Sequence, residues 1–376
     1  MSMLSGRDRS APRWGASGVD LRTPSLTRRS LIGGAAALAA TGSLSFGARA
    51  AGPGLGAVPF GAAIQNEFFD EPDYRQLFLD HCDIILPMNE LKLGQLRPTR
   101  EAFRFEPADR LVEFARAHGR RSRGHTFCWW NDLPPWLEAV RDAREAERIL
   151  RDHIEAVAGR YAGRLESWDV VNEVIAWDPA EEGALRDYYW LQVLGPRHIP
   201  IAFEAAAAAD PGARLVVNDF DLEFVGSRYD MRREIALSMV RQLKDSGHAV
   251  HAVGIQAHLY SDLRIDVDAL GRFCEALKAM DCGLLVTELD IIDWKIEGGP
   301  AEQDAAAERI VSDLLDGILP AGPPEAVIAW GLTDRHSWVG DVMPRSDGNE
   351  RPLPFDAENR PKPWYDMLRR RLAAGR

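Results

Sequence analysis

Two glutamates stand where short apolar runs end. Glu173 follows the run 165–172 (LESWDVVN), and Glu288 sits near the end of 283–289 (GLLVTEL). A single buried glutamate is more often a helix cap or half of an ion pair. Two of them at strand ends, each with polar companions at a spacing of two, point to chemistry, because residues two apart on a strand share a face. A pair of carboxyl groups about 5–5.5 Å apart can cleave a glycosidic bond through a covalent intermediate. One protonates the leaving oxygen, and the other attacks the anomeric carbon.

The neighbours divide these roles. Asp290 lies two residues past Glu288, and Gln256 and His258 share the same spacing on the preceding run. His258, held by Asp290, would keep Glu288 ionised and oriented, as a nucleophile requires. Glu173 follows an apolar stretch with no cation evident beside it, so burial and the negative Glu288 would favour its protonated form, as a general acid requires. Other polar or aromatic residues close further runs: Asn89, Lys92, His125, Trp129, Asn172, Asn218 with Asp219, and Trp330. We expect Asn218 and Asp219 to brace the rim. Eleven tryptophans are a high count, and flat aromatic rings suit the C–H faces of sugars. None of the four cysteines is in a CxxC pair, which argues against a zinc site; the expectation is an enzyme with no metal and no cofactor. A net charge of −12 argues against a nucleic-acid partner.

Eight β-rich runs must position these residues: 57–64, 83–88, 120–129, 165–172, 213–219, 251–258, 283–289 and 326–331. Between them lie helical patterns at 107–118, 137–161, 231–244, 267–280 and 301–315, and 364–372 closes the chain. Strands alternating with helices predict parallel pairing, and eight units predict a single (β/α)8 TIM barrel with its site at the C-terminal ends of the strands. No GxGxxG or GxxxxGK[ST] follows any run, which disfavours an open nucleotide-binding sheet. The polar stretch 341–359 reads as a loop. Residues 1–50 read as a cleaved twin-arginine export signal, with Arg28-Arg29, a mildly apolar run and a closing Ala48-Arg49-Ala50. They carry seven Arg and two Asp, a surplus of five, so the mature catalytic domain, residues 51–376, has a net charge of −17. The expectation is a periplasmic or secreted monomer free of the membrane after cleavage. Cys274 and Cys282 are candidates to pair, with buried free thiols the simpler alternative. His81, His118 and His198 read as surface residues.

The chain resembles glycoside hydrolase family ten, the retaining endo-β-1,4-xylanases, over nearly all of residues 55–370. Trp168-Asp169-Val170-Val171-Asn172-Glu173 is similar to that family's WDVVNE signature, and Thr287-Glu288-Leu289-Asp290 to its TELD signature. Supporting matches are Arg123-Gly124-His125-Thr126 with Trp129, Asn218-Asp219, Gly254 to His258, Trp330 with Thr333-Asp334 and Ser337-Trp338, and the ending Pro361-Lys362-Pro363. The resemblance implies Glu173 as acid/base and Glu288 as nucleophile. It implies Asn172, His258 and Asp290 in support, with Asn89, Lys92, His125, Trp129, Gln256, Trp330 and Trp338 lining the sugar sites. Three positions depart. Met88 replaces the glutamate of ENxxK, and Trp130 and Asp132 replace the histidine and glutamine of WHxQ. The cutting site is thus intact, while the site for the next glycone sugar is altered. Xylan is the default substrate. The alternatives are the same chemistry on another β-linked polysaccharide, such as a bacterial exopolysaccharide, and a non-catalytic sugar-binding barrel.

Overall fold

In the computed structural model, residues 58–374 are described. The export segment 1–50, with Arg28-Arg29 and Ala48-Arg49-Ala50, lies outside the described residues, as does Ala51.

Nine strands follow in order: β1 Phe60–Ile64, β2 Ile84–Pro87, β3 Gly124–Cys128, β4 Ser167–Asn172, β5 Arg214–Asp219, β6 Ala252–Ile255, β7 His258–Tyr260, β8 Gly283–Ile292 and β9 Val327–Ala329. They run β2-β1-β9-β8-β6-β5-β4-β3, with β7 pairing β8, and every pairing is parallel. The seam between β2 and β3 is drawn in by Ile85 N–H donating to Arg121 C=O (2.9 Å) and Arg121 N–H to Asp83 C=O (3.0 Å). β6 and β7 are one barrel strand broken at Gln256-Ala257, so eight positions form a nearly closed (β/α)8 barrel. All eight expected runs contain a strand, most of them trimmed at the ends, while β8 extends to Ile292.

Two apolar clusters explain the closure. Ala63, Ile84, Leu86, Val216, Ala252, Leu285 and Ile328 fill the barrel's interior, and Met88 and Trp330 belong to the same cluster. A larger cluster joins the strands' outer faces to the helices. The helix Ala143–Tyr161 shows the cause: Ala146, Ile149, Leu150, Ile154, Val157 and Ala158 recur at three and four residues and are buried. The single helical pattern at 137–161 resolves into Pro135–Glu138 and Ala143–Tyr161. The break falls where the Asp142 carboxylate accepts from Glu145 N–H (2.9 Å) and caps the second helix.

One expectation is corrected. His198 is fully buried, with one ring nitrogen 2.7 Å from Gly195 C=O and the other 2.8 Å from the Tyr188 hydroxyl, and burial pushes its pKa down to about 4. All four cysteines are buried free thiols, which is the simpler of the two readings left open for Cys274 and Cys282. Among the described residues, no helix is long and apolar enough to cross a membrane, and no cluster of three or more His, Cys, Asp or Glu could hold a metal ion.

Candidate active site

Glu288 on β8 is 4% exposed at the barrel mouth. Its Oε1 accepts from Asn218 Nδ2 at 2.7 Å, and its Oε2 lies 3.3 Å from His258 Nε2. His258 turns its Nδ1 to Asp290 Oδ1 (2.8 Å), and Trp338 Nε1 donates to Asp290 Oδ2 (2.7 Å). Burial disfavours a charged imidazole, but Asp290 and Glu288 outweigh it and hold His258 well above its usual pKa. Burial likewise opposes ionisation of Glu288. The His258 hydrogen bond, with the charges of His125 and His258, overcomes it and holds Glu288 below the usual carboxylate value.

Glu173 immediately follows β4 with φ +56°, a left-handed conformation unusual for a residue with a side chain. Its N–H donates to Asn218 C=O (2.9 Å), so the turn is tied to β5. The half-buried carboxyl group accepts from Trp130 Nε1 on Oε2 (2.5 Å), and from Asn172 Nδ2 (3.2 Å) and Gln256 Nε2 (3.1 Å) on Oε1. A cation does lie close, against expectation: Arg186 Nε donates to the main-chain carbonyl of Glu173 (2.8 Å).

Asn218 joins the two halves. Its Nδ2 serves both Glu288 Oε1 and Asn172 Oδ1 (2.7 Å each), and its Oδ1 accepts from Thr287 Oγ1 (2.6 Å). Gly254 makes room, since a Cβ there would lie 2.2 Å from Asn218 Oδ1. The rim-bracing expectation therefore undersold Asn218. Its register opposite Asn172 was the signal, but only the three-dimensional pairing shows it bridging both glutamate networks.

On the opposite side, Lys92 Nζ donates to Asn89 Oδ1 (2.8 Å) and lies 4.5 Å from the centre of the Trp129 ring and 5.7 Å from that of Trp330. Burial lowers its pKa. The His125 ring meets Trp330 edge-on at 5.0 Å, and Asp169 holds His125 Nδ1 at 3.0 Å while also pairing with buried Arg123. Met88 is 4% exposed and packs with Trp330. Asp132 accepts from Gln95 N–H (3.2 Å) and Gln95 Nε2 (3.4 Å), so its carboxylate is largely taken up by the segment that follows β2. Trp130 is 41% exposed, with its N–H on Glu173. The structure thus brings Glu173, Glu288, Asn172, Gln256, His258, Asp290 and Trp338 into one network, with Lys92, Asn89, His125, Trp129 and Trp330 on its flank.

A parallel (β/α)8 barrel whose mouth carries two networked glutamates among tryptophans is the architecture of a glycoside hydrolase. The profile of glycosyl hydrolase family 10 matches residues 50–371, and the chain belongs to that family. It is 30% identical over 298 residues to endo-1,4-beta-xylanase 2 of Claviceps purpurea, covering 79% of this chain and 85% of that protein. Native xylanase 10B from Thermotoga maritima superposes with a TM-score of 0.76 at 29% identity, covering 85% of this chain and 95% of that one. Xylanase 10B from Thermotoga petrophila RKU-1, in complex with xylobiose, gives 0.75 at 29% identity, covering 85% and 94%.

Proposed function

We propose that the protein is a retaining endo-β-1,4-xylanase. Glu288 attacks the anomeric carbon as the bond to the leaving oxygen breaks, and that oxygen takes the proton of Glu173. A water then attacks the glycosyl ester, Glu173 takes the water's proton, and Glu288 is released with the β configuration restored. The observation that carries this reading is the asymmetry of the two carboxyl groups. Glu288 is buried against His258 and Asn218, while Glu173 is half-buried, with only neutral donors on its carboxyl. Asn89, Lys92, His125, Trp129, Gln256, Trp330 and Trp338 are read as sugar contacts, and Asn172, His258 and Asp290 as supports.

The experiment is turnover by two variants, followed by product analysis. Glu288→Ala should be inactive on every substrate. Glu173→Ala should lose far more rate on xylan than on aryl β-xylosides with activated leaving groups, which need little protonation. Azide should rescue Glu173→Ala with a β-azido-xyloside, and an α product rules out retention. Met88 favours a second reading, because it offers the glycone sugar no hydrogen bond. A panel including bacterial exopolysaccharides decides it: faster release from one of these than from xylan moves the assignment to that polymer.

We further propose export through the twin-arginine route, on the strength of Arg28-Arg29 and Ala48-Arg49-Ala50. The mature N-terminus should be Ala51, outside the cytoplasm, and replacing both arginines with lysine should strand folded precursor inside. Unchanged export of that variant overturns the proposal.

A further inference from the structure

Trp130 has two surfaces in use. Its N–H is on Glu173, and its exposed part lines a separate cleft of about 260 Å3 between the segment after β3 and the segment after β4. The far walls are Glu138, Arg141, Asp187, Tyr189 and Gln192. We propose that this cleft binds one neutral sugar ring, carried as a branch on the polysaccharide backbone beside the bond being cleaved. This inference rests on the xylanase reading and adds a substituent site to it.

The location fixes the relation to the reaction. The sugar undergoing cleavage must lie between Glu173 and Glu288, and Trp130 stands against the Oε2 edge of Glu173, whose Oε1 carries the links that lead toward Glu288. A ring in the cleft is therefore off the axis joining the two carboxyl groups. The volume suits one ring. A cavity of about 150 Å3 takes benzene, and 260 Å3 leaves room for a larger ring with its hydroxyls.

The lining suits a sugar. Arg186 backs the Trp130 indole, its guanidinium 5.2 Å from the ring centre, and the ring remains 41% exposed, an apolar surface for C–H groups. Around it stand groups that match hydroxyls. Glu138 and Arg141 are exposed and have no ion-pair partner among the described residues. Gln192 Nε2 donates to Asp187 Oδ1 at 3.0 Å, which fixes both side chains and leaves each an oxygen to accept from a hydroxyl. Tyr189 offers the cleft its ring rather than its buried hydroxyl, with the Arg141 guanidinium 5.9 Å from the ring centre. Arg186 lies behind the indole and outside the lining, so within the cleft the two carboxylates of Glu138 and Asp187 face the single guanidinium of Arg141, which favours a neutral ring over a uronate.

The test is binding to a full-length Glu288→Gln protein, which holds substrate without turnover. The ligands are three xylo-oligosaccharides of equal backbone length: unbranched, with one arabinosyl branch, and with one glucuronosyl branch. The arabinosyl ligand should bind about tenfold tighter than the unbranched one, the effect of two ordinary hydrogen bonds. Adding Arg141→Ala with Gln192→Ala should shrink that advantage to about twofold or less, as should Trp130→Ala, whereas Trp130→Phe should retain most of it. Equal binding of branched and unbranched ligands by the parent overturns the proposal, as does an advantage that survives the cleft substitutions. A preference for the glucuronosyl ligand overturns the neutral-ring assignment. If the parent binds none of the three, the xylanase reading falls and this one with it.

Discussion

At the scale of single residues, the site works by unequal treatment of two identical groups. Glu288 is buried, where a carboxylate would ordinarily become neutral, yet it is held below its usual pKa because His258 hydrogen-bonds it and carries charge. His258 stays protonated because Asp290 and Glu288 together outweigh its burial. The sign of a substitution follows. Removing the imidazolium leaves burial dominant, so the pKa of Glu288 rises. The nucleophile must be ionised, so the acidic limb of the kcat/KM profile for His258→Asn should move to higher pH by about a unit or more, with a lower plateau. Wild type should in turn lose activity as pH rises through the raised pKa of His258. A pH profile on an activated aryl xyloside, which lessens dependence on Glu173, reads the shift directly. An unmoved acidic limb means that His258 is only packing.

At the scale of elements, the break between β6 and β7 is the device that lets one strand serve both glutamates. Ile255 pairs with Val286, but His258 pairs with Asp290, so β8 carries one extra residue across the break. Ala257 takes φ +60°, and its N–H leaves the ladder to donate to Glu223 Oε1 (3.0 Å). Gln256 then reaches Glu173 while His258 reaches Glu288. Glu223 is fully buried with its other oxygen unpaired among the described residues, and burial, with the charge of Asp221, pushes its pKa up to about 7. A carboxyl raised in the folded state contributes stability that is complete below about pH 4.5 and lost as pH rises through 7. The loss is on the order of 3 kcal/mol at about 1.4 kcal/mol per unit. Glu223→Gln keeps an oxygen for Ala257 N–H and cannot ionise. Denaturant unfolding at pH 5 and pH 8 should therefore show the variant gaining about 2–3 kcal/mol on wild type at the higher pH, and a constant difference refutes the account. Much of this region was legible in the sequence. WDVVN-Glu173, TELD and the pair Gln256 and His258 stand out through residue type and spacing. The break was not legible, because a spacing of two already explained the pair. Trp130 bonding Glu173 was equally hidden, since it depends on how two loops meet. His198 shows the same limit, because helical spacing does not reveal that Tyr188 and Gly195 will satisfy both ring nitrogens in the interior.

At the scale of the molecule, a barrel must be closed by its ends, and here the last segment of the chain is fastened beside the first strand. The helix Pro363–Ala374 lays Tyr365 against Phe60 of β1 at 5.2 Å and buries Trp364 completely. Just before it, Lys362 is 1% exposed with its Nζ 2.5 Å from Asp334 Oδ2, and Asp334 Oδ1 accepts from Leu353 N–H (2.9 Å). The segment after β9, the 353–356 stretch and the final helix thus meet at one buried ion pair. Burial pushes Asp334 up to about 6 even beside the ammonium group, so desolvation offsets much of the attraction. Breaking the pair and replacing it should therefore differ. Lys362→Met strands a buried carboxylate and should cost about 3–5 kcal/mol at pH 7. The cost should be smaller at pH 5, where the carboxyl takes up a proton. Lys362→Met combined with Asp334→Asn keeps the acceptor for Leu353 N–H without a charge and should return to within about 1.5 kcal/mol of wild type. Denaturant titrations of the single and double variants at both pH values measure this. If the double variant is as damaged as Lys362→Met alone, the pair is a true stabilising clasp and the desolvation argument fails.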